Sequence, residues 1–213
     1  MSTAGGPGPA SASPLAAAPS FVEAPFARAA LLTLLLATAG LGRWAATSGG
    51  LADGIVVGAL FGAILVAGGA FAGWRPAALP WRQLVTGVSV GLAGAAALLV
   101  LALATRWPGP WLPFHPAGSF VTWAAVTVLV ASAEELVLRG VLFDALDEAG
   151  GPVAALLLTA AAFALLHVPS YGWYVVPLDF GVGLFLGGLR LWTGGVAAPA
   201  VAHVVADLAT WWI

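Results

Sequence analysis

The amino-acid sequence predicts an all-α, polytopic membrane protein built as a bundle of about seven transmembrane helices. Of its 213 residues, 61% are hydrophobic and only 8% are charged, against about 25% charged residues in an ordinary soluble domain. Apolar runs of about 20 residues, the length at which a helix crosses the hydrocarbon core of a bilayer, recur along the chain. Segments that break helices separate these runs, among them Gly150-Gly151-Pro152 and Thr193-Gly194-Gly195.

Seven apolar runs are candidate spans, and each is bounded by turn-forming residues. They cover Phe26–Ala46, Gly54–Trp74, Leu84–Thr105, Phe120–Phe143, Val153–Val168, Val175–Trp192 and Val196–Trp211. Pro152 suits the first turn of the fifth span, where its missing N–H is no loss. Pro177 and Asp179 interrupt the start of the sixth span, so that span has the least regular sequence.

The chain divides into three parts by composition. Residues 1–25 are rich in Pro, Ala, Ser and Gly without periodicity, which predicts a flexible tail. No basic segment opens this tail, so it does not have the pattern of a secretory signal peptide. Residues 26–118 hold three transmembrane helices, and residues 119–213 hold the remaining four.

Residue counts and charge exclude several classes of function. The chain has no cysteine, which excludes disulfides, thiolate nucleophiles and Cys-ligated metals. Its net charge of -2 gives no reason to expect nucleic acid as a partner. The basic residues are all arginine, and together with the Ala and Gly richness this predicts a GC-rich bacterial source and hence a bacterial cell membrane.

The distribution of arginines predicts the orientation in the membrane. Arg28, Arg75, Arg82 and Arg190 lie in or near the loops expected on one side, and Arg43 and Arg106 lie in or near the loops expected on the other. Because cytoplasmic loops are enriched in basic residues, the N-terminus is expected in the cytoplasm.

Three of the last four apolar runs carry candidate site residues, whereas elsewhere in the predicted spans the ionisable residues lie near helix ends. The candidate residues are Glu134, Glu135 and Arg139 in the fourth run, His167 in the fifth, and His203 and Asp207 in the seventh. A charged residue at the centre of a membrane helix costs at least about 2.5–3.5 kcal/mol, and such residues usually mark function. We therefore expect three helices to converge on one buried polar site.

Helical spacing sorts these residues. Glu135 and Arg139 are four apart, so they share a face and can pair. Glu134 is rotated by about 100° and is free to face another neighbour. At a rise of 1.5 Å per residue, Glu134 and His167 both lie about 25 Å from the predicted turn at Gly150. A straight antiparallel hairpin would therefore place them at matching depth.

Three classes of function are compatible with such a cluster. A non-catalytic membrane binding or immunity protein would use it as a structural ion-pair network. A small transporter or proton pathway also builds relays from buried acids and histidines, although the sequence shows no inverted repeat. Two acids, an arginine, two histidines and an aspartate at compatible depth favour the third class, an enzyme active site.

Three motifs resemble those of the CPBP family of intramembrane proteases, the CAAX prenyl protease and bacteriocin-processing group. They read Glu134-Glu135-Leu-Val-Leu-Arg139, Phe163-Ala-Leu-Leu-His167 and His203-Val-Val-Ala-Asp207, in the family's order. The resemblance covers about residues 120–207, which makes residues 119–213 the catalytic core. It implies an endopeptidase that hydrolyses a peptide bond of a membrane-anchored protein or peptide. Asp207 departs from the commoner asparagine.

Chemistry then assigns roles within the motifs. Glu134 is expected to act as general base for water, with His167 holding that water or moving its proton. His203, oriented by Asp207, would stabilise the oxyanion, and Glu135 with Arg139 would brace Glu134. The alternative is a metalloprotease in which Glu134, His167 and His203 hold one divalent ion, zinc being the ion such a set favours. The sequence leaves both mechanisms open.

Two further polar residues are expected to lie outside the catalytic set. Asp179 stands at the start of the sixth span, where an acid stabilises a helix N-terminus, and is expected to serve as a helix cap. His115 lies in a loop rich in Pro and Trp and is expected to be solvated.

Overall fold

A computed structural model describes residues 24–50, 54–74, 80–105 and 119–212. All regular secondary structure in these ranges is helical, which confirms the all-α fold class. The elements are α1 (Pro25–Ser48), α2 (Gly54–Phe71), α3 (Trp81–Thr105), α4 (Phe120–Glu135), a π-helical turn (Leu136–Leu142), α5 (Phe143–Tyr171), a 3₁₀ turn (Trp173–Val175), α6 (Val176–Thr193) and α7 (Ala197–Ala209). The predicted tail up to residue 23, Arg75, Arg106 and His115 lie outside the described residues.

Five helical runs of the described chain are long and apolar enough to cross a membrane. They confirm that the protein is a polytopic integral membrane protein. Two details differ from the seven predicted spans. The fourth and fifth spans belong to one run, Phe120–Tyr171, of 52 residues. Helix α7 has 13 residues, which is shorter than the roughly 20 that a crossing requires.

Two glycines break the long run. Gly140, in the π-helical turn, has a non-helical backbone with φ −94° and ψ −105°. Gly151 has φ 83° and ψ 170°, a conformation that costs glycine little because it has no Cβ. The helix resumes at Pro152, as the sequence predicts. The boundary at Gly150-Gly151-Pro152 is therefore a sharp break in a helical run.

The residues between the two breaks, 141–150, are tied to two other helices. Asp144 accepts a hydrogen bond from Arg190 Nη2 of α6 at 2.8 Å. Glu148 accepts one from Arg28 Nη2 of α1 at 2.9 Å. These two ion pairs place the beginning of α1 and the end of α6 at the same end of the bundle. Arg28 and Arg190 therefore lie on one side, as the arginine distribution predicts.

The N-terminal helices pack around the C-terminal ones. Helix α4 packs mainly against α2 and α7, whereas α5 packs mainly against α1 and α6, and α3 covers α7 and α6. Close contact of α2 with α4 depends on Gly58 and Gly62, since a Cβ there would meet Val126 or Leu129 within 3 Å. Because α4 and α5 have different neighbours, they do not pack against each other as the straight antiparallel hairpin expected from the sequence.

The sixth predicted span is long and apolar enough to cross a membrane despite its irregular start. Pro177 occupies the first turn of α6, where a missing N–H removes no helical hydrogen bond. At the other end, Gly194 adopts the left-handed conformation with φ 70° and closes the helix. Helix α7 begins directly afterwards, so its polar face returns alongside α4.

Candidate active site

A buried ion pair lies where α4 passes into the π-helical turn. Glu135 and Arg139 are both fully buried, and Arg139 Nη1 donates to Glu135 Oε1 at 2.6 Å. Arg139 Nη2 donates to the Gly183 carbonyl of α6 at 3.1 Å. The guanidinium carbon of Arg139 also lies 4.8 Å from the centre of the Phe163 ring. The pair indicated by the four-residue spacing is thus present, and it joins α4 to α5 and α6.

The π-helical turn explains how Arg139 is held. A π-turn and the break at Gly140 disturb the regular backbone ladder, and such turns are frequent at functional sites. Arg190 Nε donates to the Arg139 carbonyl at 2.9 Å and satisfies it. The same guanidinium binds Asp144, so Arg190 fixes both the turn and the following residues.

His203 joins α7 to α4. Its Nδ1 lies 2.9 Å from Glu135 Oε1, and because an ionised carboxylate only accepts hydrogen bonds, Nδ1 carries the hydrogen. Its Nε2 lies 4.0 Å from Glu134 Oε2 and 3.5 Å from Asp207 Oδ2. The ring is buried. His203 therefore stands at the centre of three carboxylates.

Glu134 faces away from the Glu135–Arg139 pair, as its rotation about the helix predicts. Its side chain is only 4% exposed, and Oε1 lies 3.8 Å from Arg43 Nη1 of α1. The Arg43 guanidinium carbon lies 5.0 Å from the centre of the Phe61 ring of α2. The sequence places Arg43 near the end of the first span and gives it no part in the site. Its position five residues inside the end of α1 was the signal that it lay within an apolar helix.

His167 occupies different surroundings. Its Nδ1 lies 2.9 Å from the Phe163 carbonyl, which can only accept, so Nδ1 donates. Nδ1 also lies 3.7 Å from Asp179 Oδ2 of α6. The ring stacks with Tyr171 at 6.0 Å between centroids. Within the described residues, no ion pair or hydrogen bond joins His167 to Glu134.

The Phe163 ring contacts both histidines. It contacts the His167 ring at 4.7 Å and the His203 ring at 5.4 Å, both edge to face. The depth calculation placed Glu134 and His167 at matching depth in a straight hairpin, whereas in the structure Glu134 faces His203. The physical reason is the break at Gly140 and Gly151, because the calculation assumed a straight hairpin.

Asp179 lies in the first turn of α6, where the sequence placed it. The N-cap of α6 is nevertheless Val175, and no side chain makes a capping hydrogen bond there. The Asp179 carboxylate faces His167 instead. This contact could not be predicted from the sequence, because it depends on the 3₁₀ turn Trp173–Val175, after which α6 packs against α5.

Burial divides the site into two parts. The inner cluster consists of Glu134, Glu135, Arg139 and His203, whose side chains are all at most 6% exposed. The rim consists of Arg43, His167, Asp179 and Asp207, whose side chains are between 19% and 44% exposed. A buried acid and a buried imidazole therefore lie beside polar groups that solvent and ligands can reach.

The residues predicted as a metal-binding set do not fit a metal ion in this arrangement. Within the described part of the chain, no group of three or more His, Asp and Glu side chains is placed to hold one. Glu134 and His203 face each other at 4.0 Å, but among the described residues His167 makes no hydrogen bond or ion pair with either of them and contacts the Phe163 carbonyl and Asp179 instead.

Comparison with protein families gives one match. Residues 116–209 match the family described as Rce1-like, type II CAAX prenyl endopeptidase. The matched segment is a little under half of the chain and contains all six residues predicted for the site. Helices α1, α2 and α3 lie outside it. Comparisons with curated proteins and with solved structures gave no match.

Proposed function

We propose that this chain hydrolyses a peptide bond of a membrane-anchored protein or peptide, because residues 116–209 match the family described as Rce1-like, type II CAAX prenyl endopeptidase. The family match supports protease activity in general. The observation that carries the proposal is the carboxylate of Glu134, which is 4% exposed and faces the His203 ring at 4.0 Å. A charged group persists inside a membrane helix mainly where function retains it.

Glu134 is the proposed general base. Its carboxylate is placed to accept a proton from a water molecule while the water oxygen attacks the peptide carbonyl. The protonated Glu134 then returns that proton to the leaving amine, which balances the hydrolysis. Glu135 is less suited to this role, because its side chain is fully buried and is held through Oε1 by Arg139 and His203.

His203 is the proposed donor to the oxyanion. Glu135 fixes the hydrogen on Nδ1, so a protonated ring presents its second N–H from Nε2, on the side of Glu134 and Asp207. An N–H held there in advance stabilises charge that develops on the carbonyl oxygen. Asp207 supports the protonated ring, and Arg139 keeps Glu135 in place.

His167 is proposed to assist from the rim. Because Nδ1 donates to the Phe163 carbonyl, Nε2 of the neutral ring is an acceptor. That nitrogen can bind the incoming water or take up a proton. Asp179, 3.7 Å from Nδ1, holds the ring in this orientation.

The metal-assisted mechanism stays a prediction, and the geometry above lends it no support. Metal content of the purified protein, together with the effect of a chelator on cleavage, tests it. A stoichiometric ion whose removal abolishes cleavage would establish a metalloprotease and reassign Glu134 and His203 as ligands.

We also propose that the N-terminus faces the cytoplasm of a bacterial cell. The shared end of Arg28 and Arg190 supports this orientation, since basic residues are retained on the cytoplasmic side. Single cysteines replacing Ser48 and Asp147 would report it. A membrane-impermeant maleimide should label Ser48→Cys from outside intact cells and leave Asp147→Cys unlabelled, and the reverse labelling would contradict the assignment.

The decisive experiment compares wild type with Glu134→Gln in liposomes that contain a membrane-anchored reporter peptide. Loss of a general base reduces kcat by about 10²–10⁴-fold, so cleavage should fall at least a hundredfold. Glu148→Gln is the matched control, because that carboxylate is exposed and pairs with Arg28 at the start of α1, away from the proposed site. Its activity should equal that of wild type.

Two results would contradict the proposal. Full activity of Glu134→Gln would show that the buried carboxylate is not the base. Absence of cleavage by wild type over a panel of membrane-anchored peptides would favour the non-catalytic alternative, in which Glu134→Gln changes nothing and only the Glu135–Arg139 pair matters for folding.

A further inference from the structure

Helix α1 brings a cation to a site that otherwise belongs to the family-matched segment. Arg43 Nη1 lies 3.8 Å from Glu134 Oε1. Helix α1 lies outside residues 116–209, and the six motif residues all lie inside them. The N-terminal helices therefore reach the proposed general base directly.

The placement of Arg43 needs a specific account. An arginine within a membrane helix is costly unless its charge is matched. The other arginine of α1, Arg28, lies at the helix start and pairs with the exposed Glu148. Arg43 instead has two partners on two other helices, the Phe61 ring of α2 and the Glu134 carboxylate of α4. A cation over an aromatic face is stabilised, and its position is thereby restricted.

The two oxygens of Glu134 have different neighbours. Oε1 faces Arg43 at 3.8 Å and Oε2 faces His203 at 4.0 Å. Among the described residues these two are the cationic or ionisable basic groups within 4 Å of that carboxylate, because Arg139 is bound to Glu135. Without Arg43, only His203 would hold the Glu134 carboxylate, which would be repelled by Asp207 at the same ring nitrogen and by Glu135 at the other.

We propose that Arg43 is a positioning residue that holds the Glu134 carboxylate in the orientation required of the base. The inference rests on the proposed function. It extends the catalytic unit from the four C-terminal helices to α1. Arg43 acts through Glu134 and takes no part in the bonds that form or break.

The absence of cysteine allows a test by chemical rescue. Arg43→Cys introduces the chain's one thiol at a side chain that is 39% exposed. We expect kcat to fall by about 10–100-fold, the usual effect of losing a residue that orients a site, with KM little changed. Aminoethyl methanethiosulfonate, which attaches a cation, should restore much of kcat. The sulfonatoethyl reagent, which attaches an anion, should not.

Arg28→Cys is the matched control, because it lies on the same helix and pairs away from the site. Neither reagent should change its activity. Unchanged kcat in Arg43→Cys, or equal restoration by both reagents, would overturn the proposal. If the thiol does not react, Arg43→Lys and Arg43→Gln decide, since the lysine variant should retain clearly more kcat than the glutamine variant.

A second measurement separates this inference from the protease proposal. Thermal unfolding of Arg43→Gln, Glu134→Gln and the double variant in detergent measures the coupling of the two side chains without any substrate. The double variant should be less destabilised than the sum of the single variants. Additive effects would overturn the contact itself. Coupling without any cleavage by wild type would retain the contact and reject the protease.

Discussion

The two histidines of the site differ in every neighbour except Phe163. His203 is buried, and carboxylates face both of its ring nitrogens. His167 is about a quarter exposed, donates to a backbone carbonyl and has one acidic neighbour. One ring is part of the framework that holds α7 to α4, and the other keeps a nitrogen available at the rim. From this difference we expect substitutions in the inner cluster to affect both stability and the proposed reaction, and substitutions at the rim to affect the proposed reaction alone.

The largest expected effect comes from breaking the inner cluster. Arg139→Met leaves Glu135 buried with His203 as its one remaining partner, and loss of one member of a buried pair costs about 3–5 kcal/mol of unfolding free energy. Asp179→Asn breaks a partly exposed pair at the rim, which is worth about 0–1 kcal/mol. Chemical unfolding of the two variants in detergent micelles measures the difference. Equal losses would remove the distinction between inner cluster and rim.

The two histidines give the next comparison. His203→Ala removes a buried hydrogen bond to a charged group, worth about 1.5–3 kcal/mol. His167→Ala should stay within about 1 kcal/mol of wild type, because its own partner is a neutral carbonyl. Both variants should lose cleavage by about a hundredfold or more. The thermal midpoint and the cleavage rate, measured on the same preparations, separate the two effects.

A stable His203→Ala that has lost cleavage would place His203 with the reactive groups and outside the framework. A destabilised His167→Ala would assign the rim a structural role as well. Either outcome would contradict the assignment of different roles to His203 and His167.

A smaller effect is expected where α6 approaches α5. Gly183 accepts the Arg139 hydrogen bond, and a Cβ there would lie 2.8 Å from Ala160 Cα. Gly183→Ala forces the helices apart and should cost about 1–3 kcal/mol, with slower cleavage. Gly181→Ala is the control on the same helix, since a Cβ there meets nothing within 4 Å. It should gain about 0.5–1 kcal/mol from the better helix propensity of alanine. The thermal midpoints of Gly183→Ala and Gly181→Ala, each compared with wild type, test the two expected changes in stability.

Much of the fold was predictable because few backbone conformations are stable in the hydrocarbon of a bilayer. Long apolar runs have to be helices, since a backbone in hydrocarbon must satisfy its own hydrogen bonds. Pro152 and Gly194 marked real helix ends for local steric reasons. The break at Gly140 was not predictable, because Arg139-Gly140 continues an apolar helical pattern and the non-helical backbone is supported by Arg190 from α6.

Within the site, local contacts were predictable and distant ones were not. The Glu135–Arg139 pair follows from the helical period alone. The contacts of Glu134 with His203 and Arg43, and of His167 with Asp179, join residues of different helices. Their formation depends on which helices become neighbours, and no spacing within one helix encodes that choice.

The sequence by itself determined the membrane class, the match of residues 116–209 to a family of type II CAAX prenyl endopeptidases, and the positions of six ionisable residues within apolar runs. Only the tertiary structure decided how those residues divide. In the structure His203 lies in the inner cluster, His167 lies at the rim, and Arg43 of α1 lies beside Glu134. The physical reason is that charge and helical periodicity can be read from one segment alone. The partner of each side chain depends instead on how α1, α4, α5 and α7 cross, and the breaks at Gly140 and Gly151 change the direction of the chain between α4 and α5.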